Sequence, residues 1–146
     1  MALTTLSGPL QVGDKAGGVS GGPNLGNVVL AQTVTVNRDA TLVQTVSFNV
    51  PPNTQLQDFL IDVLTAYDSA TSATLTIGTA AAGTQYVGAI NAKTAGRAAP
   101  TLSAAQLAAM SSTTTNTTVY VTVTSVGQPT VGQVQVVARY VQTSGI

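Results

Sequence analysis

An all-β domain of the sandwich or jelly-roll kind, carrying one short helical turn and an extended N-terminal arm, is what this sequence predicts. Three observations lead there: apolar residues recur with period two from residue 27 onward, turn residues punctuate the chain every 8–14 positions, and Thr and Val dominate the alternating runs. Branched side chains suit a pleated surface, and seven or eight short strands so spaced bury one another best as two packed sheets. With 146 residues the chain is long enough to bury one sizeable core without disulfides or metals.

Residues 1–26, "MALTTLSGPLQVGDKAGGVSGGPNLG", hold many glycines and two prolines and keep neither period. They are expected to form an arm that crosses a neighbour or trails as a tail; stretched out they would reach on the order of 85 Å. The folded domain is expected over 27–146. "VVLAQTVTV" places Val28, Leu30, Gln32, Val34 and Val36 on one face, "NRDA" supplies a turn, and the next run carries Leu42, Gln44, Val46, Phe48 and Val50 on one face. These two runs read as a hairpin, ended by Pro51 and Pro52, which cannot donate to a ladder.

In "LQDFLIDVLTAY", residues 56–67, Phe59, Ile61 and Val63 alternate with Asp58, Leu60 and Asp62, which predicts a further strand. "ATLTIGT" at 73–79 and "QYVGAINA" at 85–92 follow as short strands about an "AAAG" turn. "SAAQLAAM" at 103–110 carries Ser103 and, three residues on, Gln106, the capping-box spacing that satisfies two amides at a helix start. The closing stretch 117–142 reads as two strands about a Gly-Gln-Pro turn, with Val119, Val121 and Val123 on one inward face and Val134, Val136, Ala138 and Tyr140 on the other. Tyr120 points away from its valine neighbours and is expected to be exposed.

Composition narrows the chemistry. There is no His, Cys, Glu or Trp, so Ser-His triads and thiolate chemistry are excluded and a transition-metal site nearly so. A catalytic reading falls to Asp58 and Asp62, which on a strand would share a side about 13 Å apart, beyond the roughly 5–9.5 Å of glycosidase carboxylate pairs. No catalytic, cofactor-binding or metal residues are predicted. The glycines of "GDKAGGVSGG" lack the Gly-Lys-Ser/Thr order of a phosphate loop.

Five cations balance five Asp, so electrostatic capture of nucleic acid or of an anionic membrane is not expected. Mean hydropathy is positive, but the apolar runs last only a few residues against the roughly 20 of a membrane span. The start of the chain lacks the basic and apolar regions of a signal peptide, so synthesis in the cytoplasm is expected. Only 7% of residues are charged, against about 25% in ordinary domains. Such a surface is either a Thr, Ser, Asn and Gln skin or is covered by neighbouring subunits, and a homo-oligomer, dimer or trimer, is expected. Lys15, Lys93, Arg97 and Tyr120 are the candidate partner contacts; Lys93 and Arg97 lie in "KTAGRAAP", a small-residue loop suited to an acidic groove on another protein.

The segments "AYDSATSATLTIGTAAAGTQYVGAINAKTAGRAAPTLSAAQLAAM" and "VYVTVTSVGQPTVGQVQVVARYVQ" resemble, in style and order, those of head decoration or cement proteins of tailed bacteriophages, over roughly Thr33 to Gln142. That resemblance implies a non-enzymatic, β-rich, self-associating protein on the virion exterior, bound to the major capsid protein across joints between its subunits. Two other readings stay open: a head-fibre, tail or spike component, and a carbohydrate- or receptor-binding module with Tyr67, Tyr86 or Tyr120 lining a shallow site.

Overall fold

A computed structural model describes residues 29–142. The expected arm, with Lys15 in it, lies outside the described residues. Eight strands and one short helix follow in order: β1 (Val29–Asn37), β2 (Val43–Val50), β3 (Thr54–Thr65), β4 (Ser72–Gly78), β5 (Val87–Asn91), β6 (Gly96–Ala98), α1 (Ala104–Ala109), β7 (Thr117–Val126) and β8 (Gln133–Gln142). They form two four-stranded antiparallel sheets, β1-β8-β3-β6 and β2-β7-β4-β5.

The connectivity has a simple origin. β1 pairs with β8, β2 with β7, β3 with β6 and β4 with β5, as in one long antiparallel ribbon with its tip between β4 and β5. Rolling that ribbon adds the pairs β3·β8 and β4·β7 and closes the two sheets over one core. This is the jelly roll among the all-β architectures.

Both expected outer hairpins are therefore corrected. β1 and β2 lie in different sheets, as do β7 and β8, and the links 38–42 and 127–132 cross between sheets instead of turning within one. The pairing of β4 with β5 agrees with the turn read between them.

Most inward faces follow the period, although Leu30 and Leu42, which it places on the apolar faces of the first two runs, are exposed. Val119, Val121 and Val123 of β7 and Val134, Val136 and Ala138 of β8 are fully buried, in one core with Ile61 of β3 and Leu75 and Ile77 of β4. Each such aliphatic side chain larger than Ala contributes about 1.5–3 kcal/mol on burial. In β3 the inward positions change parity: Leu56 and Phe59 are both buried, three residues apart. A register shift between Leu56 and Asp58 makes this work, because Gln57 is the extra residue of a bulge and lets the strand re-aim.

Register places the links at two ends of the sandwich. Links 38–42, 66–71, 92–95 and 127–132 share one end, the four-link end. The links 51–53, 79–86 and 99–116, the last with α1, share the other, where β1 also begins and β8 ends. At the four-link end Tyr67 is buried against Gly132, where an added Cβ would stand 2.5 Å from the ring. At the helix end Ser103 caps α1 as its spacing predicts: its Oγ accepts from the Gln106 amide at 3.3 Å, and Gln106 Oε1 accepts from the Ser103 amide at 2.9 Å.

Candidate interaction surface

The outer face of the β1-β8-β3-β6 sheet carries the two ion pairs found among the described residues. Arg97 of β6 donates from Nε to Asp62 Oδ1 at 2.8 Å and from its terminal nitrogen to Oδ2 at 3.0 Å. Arg139 of β8 holds Asp58 in the same bidentate way, with Nε to Oδ1 at 2.6 Å. Planar guanidinium and carboxylate match in this geometry, which makes such pairs strong for their class. The Arg97 hydrogen bonds hold the Asp62 carboxyl below its ordinary pKa of 3.8. A general acid needs a shift in the opposite direction.

The outer face of the β2-β7-β4-β5 sheet differs. Thr45, Thr122 and Thr76 lie side by side in register, and Thr45 and Thr122 share a hydroxyl hydrogen bond at 3.1 Å. The link between β4 and β5 folds back over them, with the Ala82 amide donating to Thr122 Oγ1 at 2.9 Å. Its strands carry no Asp, Lys or Arg. Neutral hydroxyls do there what charge does on an ordinary surface.

The four-link end collects the other described charges. Arg38 donates from Nε to the Pro129 carbonyl at 2.8 Å. Asp39 accepts from the Thr41 amide and hydroxyl at 2.7 and 2.6 Å, and those two bonds hold its carboxyl below 3.8. Asp68 accepts from the Thr130 hydroxyl, from the Thr130 amide at 2.6 Å and from the Val131 amide at 3.2 Å. These donors hold it at about 2. Lys93 reaches only the Thr71 carbonyl, at 3.5 Å.

The sequence-predicted contacts thus separate. Lys93 stands at the four-link end, half-buried, whereas Arg97 is exposed and bound to Asp62 on a sheet face. Tyr120 lies on the outer face of β7, as expected, but is half-buried between Ser47 and Gly78. Tyr67 and Tyr86, named above as lining a shallow binding site, are both core residues, at 1% and 2% exposure. Burial raises the pKa of both, Tyr67 to about 12. A stacking platform for a sugar has lost two of its three named aromatics. Arg38 and Asp68 were not singled out by the sequence; their partners lie 91 and 62 residues away, and only the Asp39-Ala40-Thr41 turn had a local signature.

A shallow groove runs between α1 and residues 84–85, lined by Thr84, Gln85, Ser103, Ala105, Gln106 and Ala109, with no ionisable side chain in it. Among the described residues no three acidic, His or Cys side chains gather as metal ligands, and no helix is long and apolar enough to cross a membrane.

No family model matches this chain, and no curated protein does. A chain in the solved structure "Cyanophage Pam1 capsid asymmetric unit" is similar in fold, with a TM-score of 0.57 and 22% identity over 88% of this chain and 95% of that one.

Proposed function

We propose that this protein is a structural component of a phage virion, a decoration or cement protein that binds the outside of the head as a small homo-oligomer and stabilises contacts between major capsid subunits. The observation that carries the reading is the end-to-end likeness to a chain of a phage capsid asymmetric unit. Coverage of nearly all of both chains means that the two are of similar length and share the whole sandwich, not a common sub-motif.

The surface supports the same reading. A cement works by broad contact of low charge, because interface cores are depleted in charged residues and gain by burying apolar area. Here one sheet face has no charged side chain in its strands, and on the other each charge is neutralised by its neighbour. Repetition over a closed shell multiplies modest contacts. The role is mechanical: Asp58 and Asp62, the carboxylates with a catalytic reading, are each held by an arginine.

Quantitative mass spectrometry of density-purified particles from the source tests this. The expected result is a copy number within a few-fold of the major capsid protein. A handful of copies per particle would move the chain to a fibre, tail or spike position. Absence from particles would overturn the virion reading.

A further inference from the structure

We infer that the free edge of β1 is a self-association surface, on which β1 of a second copy pairs antiparallel about a two-fold axis at Thr33. This rests on the homo-oligomer of the reading above and names the strand that makes it.

Two long edges of the sandwich stand on one flank. β1 and β2 each end a sheet, and the Gln32 side chain spans the seam between them, donating to the Asn49 carbonyl at 3.0 Å. The Arg38 amide donates to the Gly132 carbonyl at 2.9 Å, so by the alternation of an antiparallel ladder Leu30, Gln32, Val34 and Val36 bond toward β8. The amides and carbonyls of Val29, Ala31, Thr33, Thr35 and Asn37 then point the other way, where no strand lies among the described residues. Leu30 shows the consequence: it shares the core-facing side with Val36 yet is 37% exposed, on a strand with a neighbour on one side only.

The other edges are guarded and β1 is not. β6 is three residues long and carries Arg97, while β5 is five residues long, with a shift in its register and Lys93 two positions beyond it. On β2 the Asn49 carbonyl is already taken by Gln32. Shortness, charge and irregularity are how sheets avoid pairing edge to edge. β1 runs nine residues in unbroken register with no proline and no charge.

The missing guard selects the occupant. A charge on an edge acts above all against the chain's own copies, because like then meets like, and a foreign strand would have to compete at an unguarded edge with every other copy. Residues 13–23, which a hairpin before β1 would bring to this edge, hold five glycines and Pro23, residues that strands avoid. The strand itself is self-complementary. Pairing about Thr33 sets Ala31 against the second copy's Thr35 and Val29 against its Asn37, with Leu30 beside its Val36, so that the outward amides and carbonyls of both strands meet.

Sedimentation equilibrium of the purified full-length chain tests this, each variant first shown to keep the parent's far-ultraviolet circular dichroism. The parent is expected to be a dimer. Thr33→Lys sets two ammonium groups face to face on the axis and is expected to raise the dissociation constant about tenfold or more, as is Thr33→Glu. An equimolar mixture of those two variants is expected to restore the dimer. Ala89→Lys, exposed on the β5 edge of the opposite flank, is expected to leave association unchanged. A trimeric parent, association that ignores both Thr33 variants, a mixture that stays monomeric, or equal loss in Ala89→Lys overturns the β1 assignment alone. A monomeric parent overturns the homo-oligomer with it. Presence on particles is a separate measurement, so the virion reading stands or falls without this result.

Discussion

Asp68 shows how one side chain joins distant parts of this fold. It lies in the link after β3 and receives the Thr130 amide and hydroxyl and the Val131 amide from the link before β8, so it ties two of the four connections at that end. Those donors favour the charged form and hold its pKa at about 2, below the ordinary 3.8. The unfolded chain therefore takes up the proton first. The stabilisation is whole above about pH 4 and is lost as pH falls toward about 2. Asp68→Asn keeps the shape and removes the charge. The variant is expected to unfold at lower urea than the parent at about pH 7 and to converge on it by about pH 2. An unchanged gap between the two midpoints across that range would show that the Asp68 charge does not stabilise the link. No local pattern in the sequence announced this contact: Asp68 and Thr130 are ordinary loop residues until the fold brings them together.

Strand faces were legible and strand partners were not, for one physical reason. Alternation records which side of a strand meets the core; it does not record which strand lies beside it. Val36 and Phe48 face inward whether β1 and β2 form a hairpin or sit in opposite sheets, so the period is the same in both cases. Sequential strands pair often enough to make the hairpin the default, and links 38–42 and 127–132 are long enough to cross instead. The bulge at Gln57 escaped for a similar reason, since a strict period assigns Leu56 to the wrong face. The helix was legible because its signal is local: Ser103 and Gln106 are three residues apart and bond reciprocally. None of the α1 residues is buried, so its cap matters locally. Ser103→Ala is expected to cost about 1 kcal/mol of helix and to speed amide exchange at Gln106 about fivefold. The global melt should barely move. A large drop in melting temperature would mean that α1 is integral to the core, against its exposure.

At the scale of the whole molecule, low charge was the most informative property of the sequence, and its distribution was beyond the sequence's reach. Composition implied a neutral surface. Only the fold shows that four charges cancel in pairs on one sheet, that the strands of the other sheet carry none, and that the other four described charges lie at the four-link end. That separation also bears on the N-terminal segment. Every described residue of the hydrophobic core lies between Val36 and Tyr140, and in the sequence the alternating pattern that marks core-facing strands begins only after residue 26. Deleting residues 1–26 is expected to leave the melting temperature of the isolated chain within about 3 °C of the parent, less than the shift about 1 kcal/mol gives in a domain of 100 residues. The same deletion is expected to lower the copies retained on particles, because a Gly-rich stretch that keeps no strand period suits an arm adding contact area to a neighbour at little cost in mass. Calorimetry of the truncated chain separates the two roles. A melt far below the parent's, measured with no partner present, would make the segment part of the fold, whereas an unchanged melt with reduced retention would make it part of the attachment.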